Sequence, residues 1–598
     1  MSSADAHSST LSTPATVWER IERRASQTPD RVMFRDAEGR SLSFGDYRTA
    51  VERAAAGLTA LGVGPDSRVS WQLPTTLETA VICGALARLG ALQNPIVPIL
   101  RRREVTFITA QTKADLLIVP TAHRGFDFAG LAAEVAAEVG FAVHAIDLAE
   151  RTGPFGLALP DGDPGSLPPP PRLVEGEPPP VRWIYYTSGT TADPKGVRHT
   201  DQSVVASCGA ELAIGRTGSQ DVFVTTGPMA HVGGMLYLSL QLVTGCQRIL
   251  LDVFDRVQTP LIAARFDPTV IVGSVAVINA YLDAQRERGD TPLLPRLRRI
   301  VNGGAPRPPE LDGAVREVLG GVGVISSWGL TEFPAATFCP PESPEQVRAI
   351  SEGIPAPGVA LVVCDPDDTV LPPGTEGELR LTGPQMFSGY VDSSLNAAAF
   401  DRNGRFRTGD LGVLSADGQV RVTGRLKDVI IRNAENISAA QVEDVLRRHP
   451  LVADVAVIGL PDERTGERVC AVIVAEPGHP PMLDELSRHC AAEGLVPYKR
   501  PVQLELVGAL PRNSMGKVLR QQLKDMFCLL RPVPLHPADA RPPVRGSYLA
   551  GRAGEDRDPA VTGGHAHRGE ADRGQPQCVP AGLDVQGRGA EQAIGRER

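Results

Sequence analysis

The sequence predicts an α/β fold in two unequal parts: a large N-terminal region of layered sheets and helices, and a small α+β region near the C-terminus. Three observations carry this. At 598 residues the chain exceeds one ordinary domain, and its length suggests two to four. Helical and strand-like patterns alternate from Val17 to Val119, the signature of layered sheets with mostly parallel strands. Around Gly424 the texture changes to a strand feeding an amphipathic helix, GRLKDVIIRNAENISAAQVEDVLRRHP.

The elements follow in order. Residues 1–14 are polar and read as disordered. VWERIERRASQ and YRTAVERAAAGLTALG carry apolar residues at helical spacing, whereas SRVSWQLP and ADLLIVP are short apolar runs bounded by turn residues, as buried strands are. Residues 153–180, with DGDPGSLPPPPRLVEGEPPP, are too proline-rich for helix or central strand and read as a surface linker. They interrupt a region predicted to span 15–423. A strand-like VRWIYY follows the linker at once. The small region is predicted over 424–525, with VADVAVIGLP, RVCAVIVAEP and a helix near Leu483 to Glu493. Residues 526–598 have sparse aliphatics and no periodicity; they cannot bury enough apolar surface to offset ordering entropy and read as a disordered tail.

Composition narrows the function. A net charge of −9 argues against nucleic-acid and anionic-membrane partners. The nine cysteines form no C-x-x-C pair, which fits reduced thiols better than disulfides or a zinc site. The N-terminus lacks the layout of a signal peptide, and no apolar run is long enough to span a bilayer. The expectation is a soluble cytoplasmic protein. Its oligomeric state stays open, a homodimer being one option.

The chemistry begins at YYTSGTTADPKGV. Hydroxyls of Thr187, Ser188, Thr190 and Thr191 flank Gly189, where backbone N–H groups can form an anion nest around a polyphosphate. Lys195 adds a mobile cation. The spacing is not that of a Walker loop, so a P-loop NTPase is disfavoured. A solvated Ser/Thr/Gly turn is the bland alternative.

This segment resembles the phosphate loop of the adenylate-forming (AMP-binding) superfamily, which includes acyl-CoA synthetases, peptide-synthetase adenylation domains and beetle luciferases. Further motifs follow in that family's order, and the resemblance runs from about Val17 to Leu523. It implies a large domain with a small mobile lid, ATP and Mg²⁺ as reaction partners, and the following roles. In VNGGAPRP, Gly303, Gly304 and Ala305 would lie flat against adenine. In SSWGLTE, Trp328 replaces the usual tyrosine and can stack on adenine, with Gly329 beside it. Thr331 would contact the α-phosphate, and Glu332 would hold Mg²⁺. Asp410 of RTGDLG would accept from the ribose hydroxyls. In GRLKD, Arg425 would lie near ribose and phosphate, and Lys427 would be the hinge of the lid. Lys517 of LPRNSMGKVLR would bridge carboxylate and α-phosphate during adenylate formation. His231 of GPMAHVGGM looks like the gate beside the carboxylate pocket. Asn433, Ala434 and Glu435 would line the coenzyme A tunnel. Ala434 departs from the glycine frequent there, and its methyl either narrows the tunnel or is tolerated.

GPMAHVGGMLYLSLQLVTG contains no Asp or Glu to pair with a substrate ammonium, which favours a plain organic acid with an apolar tail over an amino acid. Three readings follow. One is an acyl-CoA synthetase for a fatty, alicyclic, aromatic or sterol-derived acid. The others are a ligase that loads a carrier protein and a non-catalytic homologue. The presence of Lys195, Glu332, Asp410, Arg425 and Lys517 together speaks against the last.

Overall fold

The computed structural model describes residues 15–151, 153–187, 194–303, 308–432, 435–462, 465–478, 480–513 and 516–528. The chain divides into the units Met1–Asp539 and Ala540–Arg598, and every described residue lies in the first.

Among the described residues, sheets of nine, six and four strands build the large region. In the nine-stranded sheet, Val324–Trp328, Arg299–Gly303, Val270–Gly273, Val222–Thr225, Gln247–Leu250 and Val32–Asp36 run side by side, all parallel. These short strands are rich in β-branched residues because both faces are covered. Ile271, Ile300 and Val324 pack under the helix Val275–Arg288, while Phe223, Val270, Val301 and Ile325 pack under Leu240 and Val243 of the helix Val232–Thr244. The sheet therefore brings the carboxyl ends Thr225, Gly273, Gly303 and Trp328 to one edge, where open α/β sheets bind ligands.

In the six-stranded sheet, Val181–Thr187 pairs antiparallel with Lys195–Thr200, the segment between them being the expected phosphate loop. Buried Asp201 anchors this hairpin, accepting from Trp183 Nε1 at 2.8 Å and from the Val17 backbone at 2.9 Å. The proline-rich stretch contains only short 3-10 turns, Pro154–Gly156 and Pro164–Ser166. It is nevertheless fastened down: Leu157 and Ala158 are buried, and Pro168 accepts from Arg88.

The small region forms a five-stranded sheet. Successive residues of Val452–Asp462 point to opposite faces. Val455 and Val457 pack with Val442 and Leu446 of the helix Ala439–Arg447 and with Leu486 of Leu483–Ala492. Ala456 and Ile458 pack with Leu523 and Phe527 of Arg520–Phe527. Ordered packing thus continues past Asp525, because the sheet's second face needs that helix as its cover. Of the expected tail, all beyond Cys528 lies outside the described residues.

Candidate active site

The two regions meet at the strand-end edge. Thr187 and Lys195 face each other in register at the base of the phosphate loop, so the last hydroxyl before the loop and the first cation after it stand together. Ser188, Gly189, Thr190 and Thr191 lie outside the described residues, as do Gly304, Ala305, Asn433, Ala434 and the side chain of Glu435.

Gly303 and Trp328 end adjacent parallel strands. Gly329 follows in a turn closed by Leu330 and Phe333, and a methyl on it would come within 2.4 Å of the Ala335 backbone nitrogen. Only glycine fits. Trp328 is buried and donates from Nε1 to Asp410 Oδ2 at 2.9 Å, while Arg425 Nε donates to Asp410 Oδ1 at 2.8 Å. Trp328, Asp410 and Arg425 are therefore one unit, with each carboxylate oxygen already holding one donor and retaining lone pairs for more. The register Asp410↔Arg425 in the antiparallel pair Phe406–Leu414 and Val420–Arg425 places the two opposite each other. Gly409 takes the left-handed φ of 70° that lets the strand turn there.

Glu332 is buried, and its Oε1 accepts from the Tyr390 hydroxyl at 2.8 Å. The Tyr390 ring also lies 5.4 Å from Lys195 Nζ. Tyr390 thus joins the expected metal carboxylate to the phosphate-loop cation. The sequence reading missed it, because its place depends on a backbone bridge between Tyr390 and Val197 that no local pattern announces. His199 was also missed. Its Nε2 donates to the Thr331 carbonyl at 2.8 Å, and its Nδ1 meets Ser203 Oγ at 3.0 Å, which sets the Thr331–Glu332 backbone. The carbonyl can only accept, so Nε2 carries the proton.

His231 caps the helix Val232–Thr244, its Nδ1 accepting from the Gly233 N–H at 3.2 Å. Its Nε2 is then the protonated nitrogen of a neutral ring, a donor suited to a carboxylate. Burial, and secondarily the Lys517 charge, bring its pKa down to about 4; burial brings that of His199 to about 4 as well, against the Thr331 bond. Both rings are therefore neutral in the folded protein above about pH 4, whereas unfolded imidazoles protonate near about 6.5. Their contribution to stability is complete above that pH and is lost as pH falls toward 4. Chemical denaturation should show folding free energy dropping between about pH 6.5 and 4, a drop reduced in H199N; a pH-independent difference between the two proteins would contradict it.

Lys517 reaches this cleft from the small region. Its side chain keeps contact with water, yet burial lowers its pKa, followed by Arg425 in the same sense, with Asp410 and Glu332 opposing. Lys427 sits in the 3-10 turn Leu426–Asp428 that joins the four-stranded sheet to the small region's sheet. Its pKa is lowered by burial, then by Arg425, with Lys195 adding to the effect. Lys195, Arg425, Lys427 and Lys517 thus act on one another across one cleft, with Asp410, Glu332 and Asp428 among the described residues opposing them. Such an excess of cations suits a polyanion.

The AMP-binding enzyme model matches residues 21–391, and the AMP-binding enzyme C-terminal domain model matches residues 441–517. The chain belongs to the AMP-binding enzyme family. A relative from Mycobacterium tuberculosis (strain ATCC 25618 / H37Rv), 3-[(3aS,4S,7aS)-7a-methyl-1,5-dioxo-octahydro-1H-inden-4-yl]propanoyl:CoA ligase, is 32% identical over 86% of this chain and 99% of its own. The medium-chain fatty-acid–CoA ligase of Escherichia coli (strain K12) is 29% identical over 84% of this chain and 89% of its own. Among solved structures, o-succinylbenzoate CoA synthetase from Bacillus subtilis, in complex with its acyl-adenylate intermediate, superposes with a TM-score of 0.72. It is 27% identical and covers 87% of this chain and 99% of its own. In AMP-binding enzymes Mg²⁺ is the usual ion. The residues here fit it: no group of three or more metal-binding side chains gathers among the described residues, but Glu332 offers one buried carboxylate beside the cationic loop. That suits an ion that keeps its waters and shares substrate phosphates.

Proposed function

We infer that this chain is an AMP-forming acid–thiol ligase, activating a carboxylic acid with ATP as its acyl-adenylate and passing the acyl group to coenzyme A. The observation that carries the reading is the meeting of Lys517 with His231, Glu332, Asp410 and Arg425 in one cleft. Thr187 and Lys195 hold the polyphosphate from one side. Asp410, oriented by Trp328 and Arg425, accepts from the ribose hydroxyls. Glu332, oriented by Tyr390, would hold Mg²⁺, which when bound neutralises phosphate charge. His231 Nε2–H and the Lys517 ammonium orient the acid's carboxylate. One carboxylate oxygen bonds to the α-phosphorus in line, and the bond to the bridging oxygen of pyrophosphate breaks. Lys517 stabilises the charge that grows on the phosphoryl oxygens.

The second half-reaction needs Lys517 gone. The turn at Lys427 carries the chain from the four-stranded sheet into the small sheet, and rotation there, with release of the Ser438 Oγ bond to the Thr423 carbonyl, withdraws Lys517 and admits coenzyme A. The thiol, losing its proton to solvent, then bonds through sulfur to the acyl carbon, the acyl carbon–phosphate oxygen bond breaks, and AMP leaves carrying that oxygen. The relatives' acids range from medium-chain fatty acids to a dioxo bicyclic propanoate, so likeness alone leaves the acid class open. A cytoplasmic setting accords with this chemistry, and no helix among the described residues is long and apolar enough to cross a membrane.

The test is acid-dependent exchange of labelled pyrophosphate into ATP without coenzyme A, across a panel of acids. Exchange with at least one acid is expected; its absence throughout the panel, in protein that binds ATP, would refute the adenylation step.

A further inference from the structure

The helix Val232–Thr244 is buried along most of its length, but Gly233, Leu236 and Tyr237 keep partial exposure on one face. Leu236 and Tyr237 pack against the same buried cluster as Val272, next to the strand end Gly273, and Ala335, which places this face on the strand-end side, beyond His231. Under Tyr237 lies Arg248, on Gln247–Leu250, with 1% of its surface accessible. Its Nε donates to Thr225 Oγ1 at 2.8 Å, its Nη1 donates to the Gly234 carbonyl at 3.1 Å, and its guanidinium carbon lies 5.6 Å from the centre of the Tyr237 ring.

No carboxylate answers this charge among the described residues, and Nη2 makes no hydrogen bond there. The contrast is local. Arg299, which lies against the other side of the same aromatic pair, is matched by Glu211 at 3.1 Å. A buried guanidinium with neutral partners only is costly, and here it touches the positive, N-terminal turn of a helix, which adds to the cost. The Tyr237 hydroxyl also has no protein partner among the described residues. Neither Arg248 Nη2 nor the Tyr237 hydroxyl thus has a protein acceptor among the described residues, and neither is a fully buried orphan atom, so both are open to an acceptor from outside the protein.

We propose that Tyr237 and Arg248 are specificity residues for an acid carrying a second oxygen acceptor, a ketone or a second carboxylate, at the end remote from the activated carboxyl. The proposal rests on the adenylation reading above, and it revises the expectation of a plain apolar tail. Tyr237 follows His231 by six positions, about 9 Å along the helix axis. Helical side chains lean toward the N-terminus, so the second oxygen lies within about that distance of the carboxylate held at His231. Medium-length chains and small fused rings meet this; acetate is too short.

The experiment compares kcat/KM for three acids of equal length, octanoate, the corresponding terminal methyl-ketone acid, and suberate, in wild type, Y237F and R248M. A hydrogen bond to a charged donor predicts a wild-type preference of about 10-fold or more for the ketone or the diacid over octanoate. That ratio should fall about 10-fold in each variant. Ketone preference without suberate preference would identify a neutral acceptor, and the reverse an anion; either supports the proposal. Y237F removes one oxygen and keeps the ring over Arg248, so the test stands even where R248M does not fold. Thermal shifts with the same acids read binding without turnover, with the ketone or diacid raising Tm in wild type more than in Y237F. Octanoate used or bound as well as both, or ratios unmoved in the variants, would overturn the proposal. Exchange with octanoate alone would do so while leaving the adenylation reading intact.

Discussion

Lys517→Ala should reduce acyl-adenylate formation by about 10²–10³-fold, the usual cost of deleting a preorganised group that meets transition-state charge. Thioester formation from supplied acyl-adenylate should stay within a few-fold of wild type. The split follows from geometry. Lys517 is brought to the cleft by the small region, among Arg425, Asp410 and Glu332 and close enough to influence His231. In the proposed two-pose mechanism, coenzyme A reaches the acyl carbon only once the lid has turned and taken Lys517 away. The lysine's own chain segment is held independently of that chemistry, with its N–H on Asn513 Oδ1 at 2.9 Å and its carbonyl accepting from the Asn513 N–H at 2.8 Å, so the truncated protein should fold. Rapid-quench measurement of both half-reactions decides it: equal losses in the two would contradict the two-pose account.

Asp410→Asn should be the other severe variant. The native carboxylate accepts from Trp328 and Arg425 and is 3% exposed. An amide offers one oxygen and one NH₂ group, so one of the two donors must face another donor. Hydrogen bonds to charged groups contribute about 1.5–3 kcal/mol each. The KM for ATP should therefore rise about 10- to 100-fold. Trp328→Phe, which removes one donor and leaves the carboxylate charged, should cost less. With Asp410 as the proposed ribose acceptor, D410N should also narrow the preference for ATP over 2′-deoxy-ATP. An unchanged preference would mean that Asp410 supports the fold and not the sugar.

The sequence made the layered α/β fold legible, because parallel strands buried on both faces leave dense runs of β-branched residues such as VIVG at Val270 to Gly273. It also made legible the side chains that sit in compact motifs: Lys195, Trp328, Glu332, Asp410, Arg425 and Lys517. The supporting set was hidden for one shared reason. Tyr390 meets Glu332 across 58 positions, His199 meets Thr331 across 132, and Arg248 reaches back to Thr225 from another strand. None has a local signature, since each depends on which strand ends the topology makes neighbours. The replacement of tyrosine by Trp328 was visible, but its consequence was not. The indole N–H holds the Asp410 carboxylate in place, which an expected stacking face alone did not announce. The absence of acidic residues from Gly227 to Gly245 was likewise visible in the sequence, yet it said nothing of the arginine one strand away.

The most direct test of the central claim is to incubate the purified full-length chain with ATP, Mg²⁺, coenzyme A and the acid that best supports exchange, and to identify the products by mass. The account predicts acyl-CoA and AMP in equal amounts, with pyrophosphate released. Acyl-adenylate and pyrophosphate that accumulate without a thioester, even at saturating coenzyme A, would contradict it.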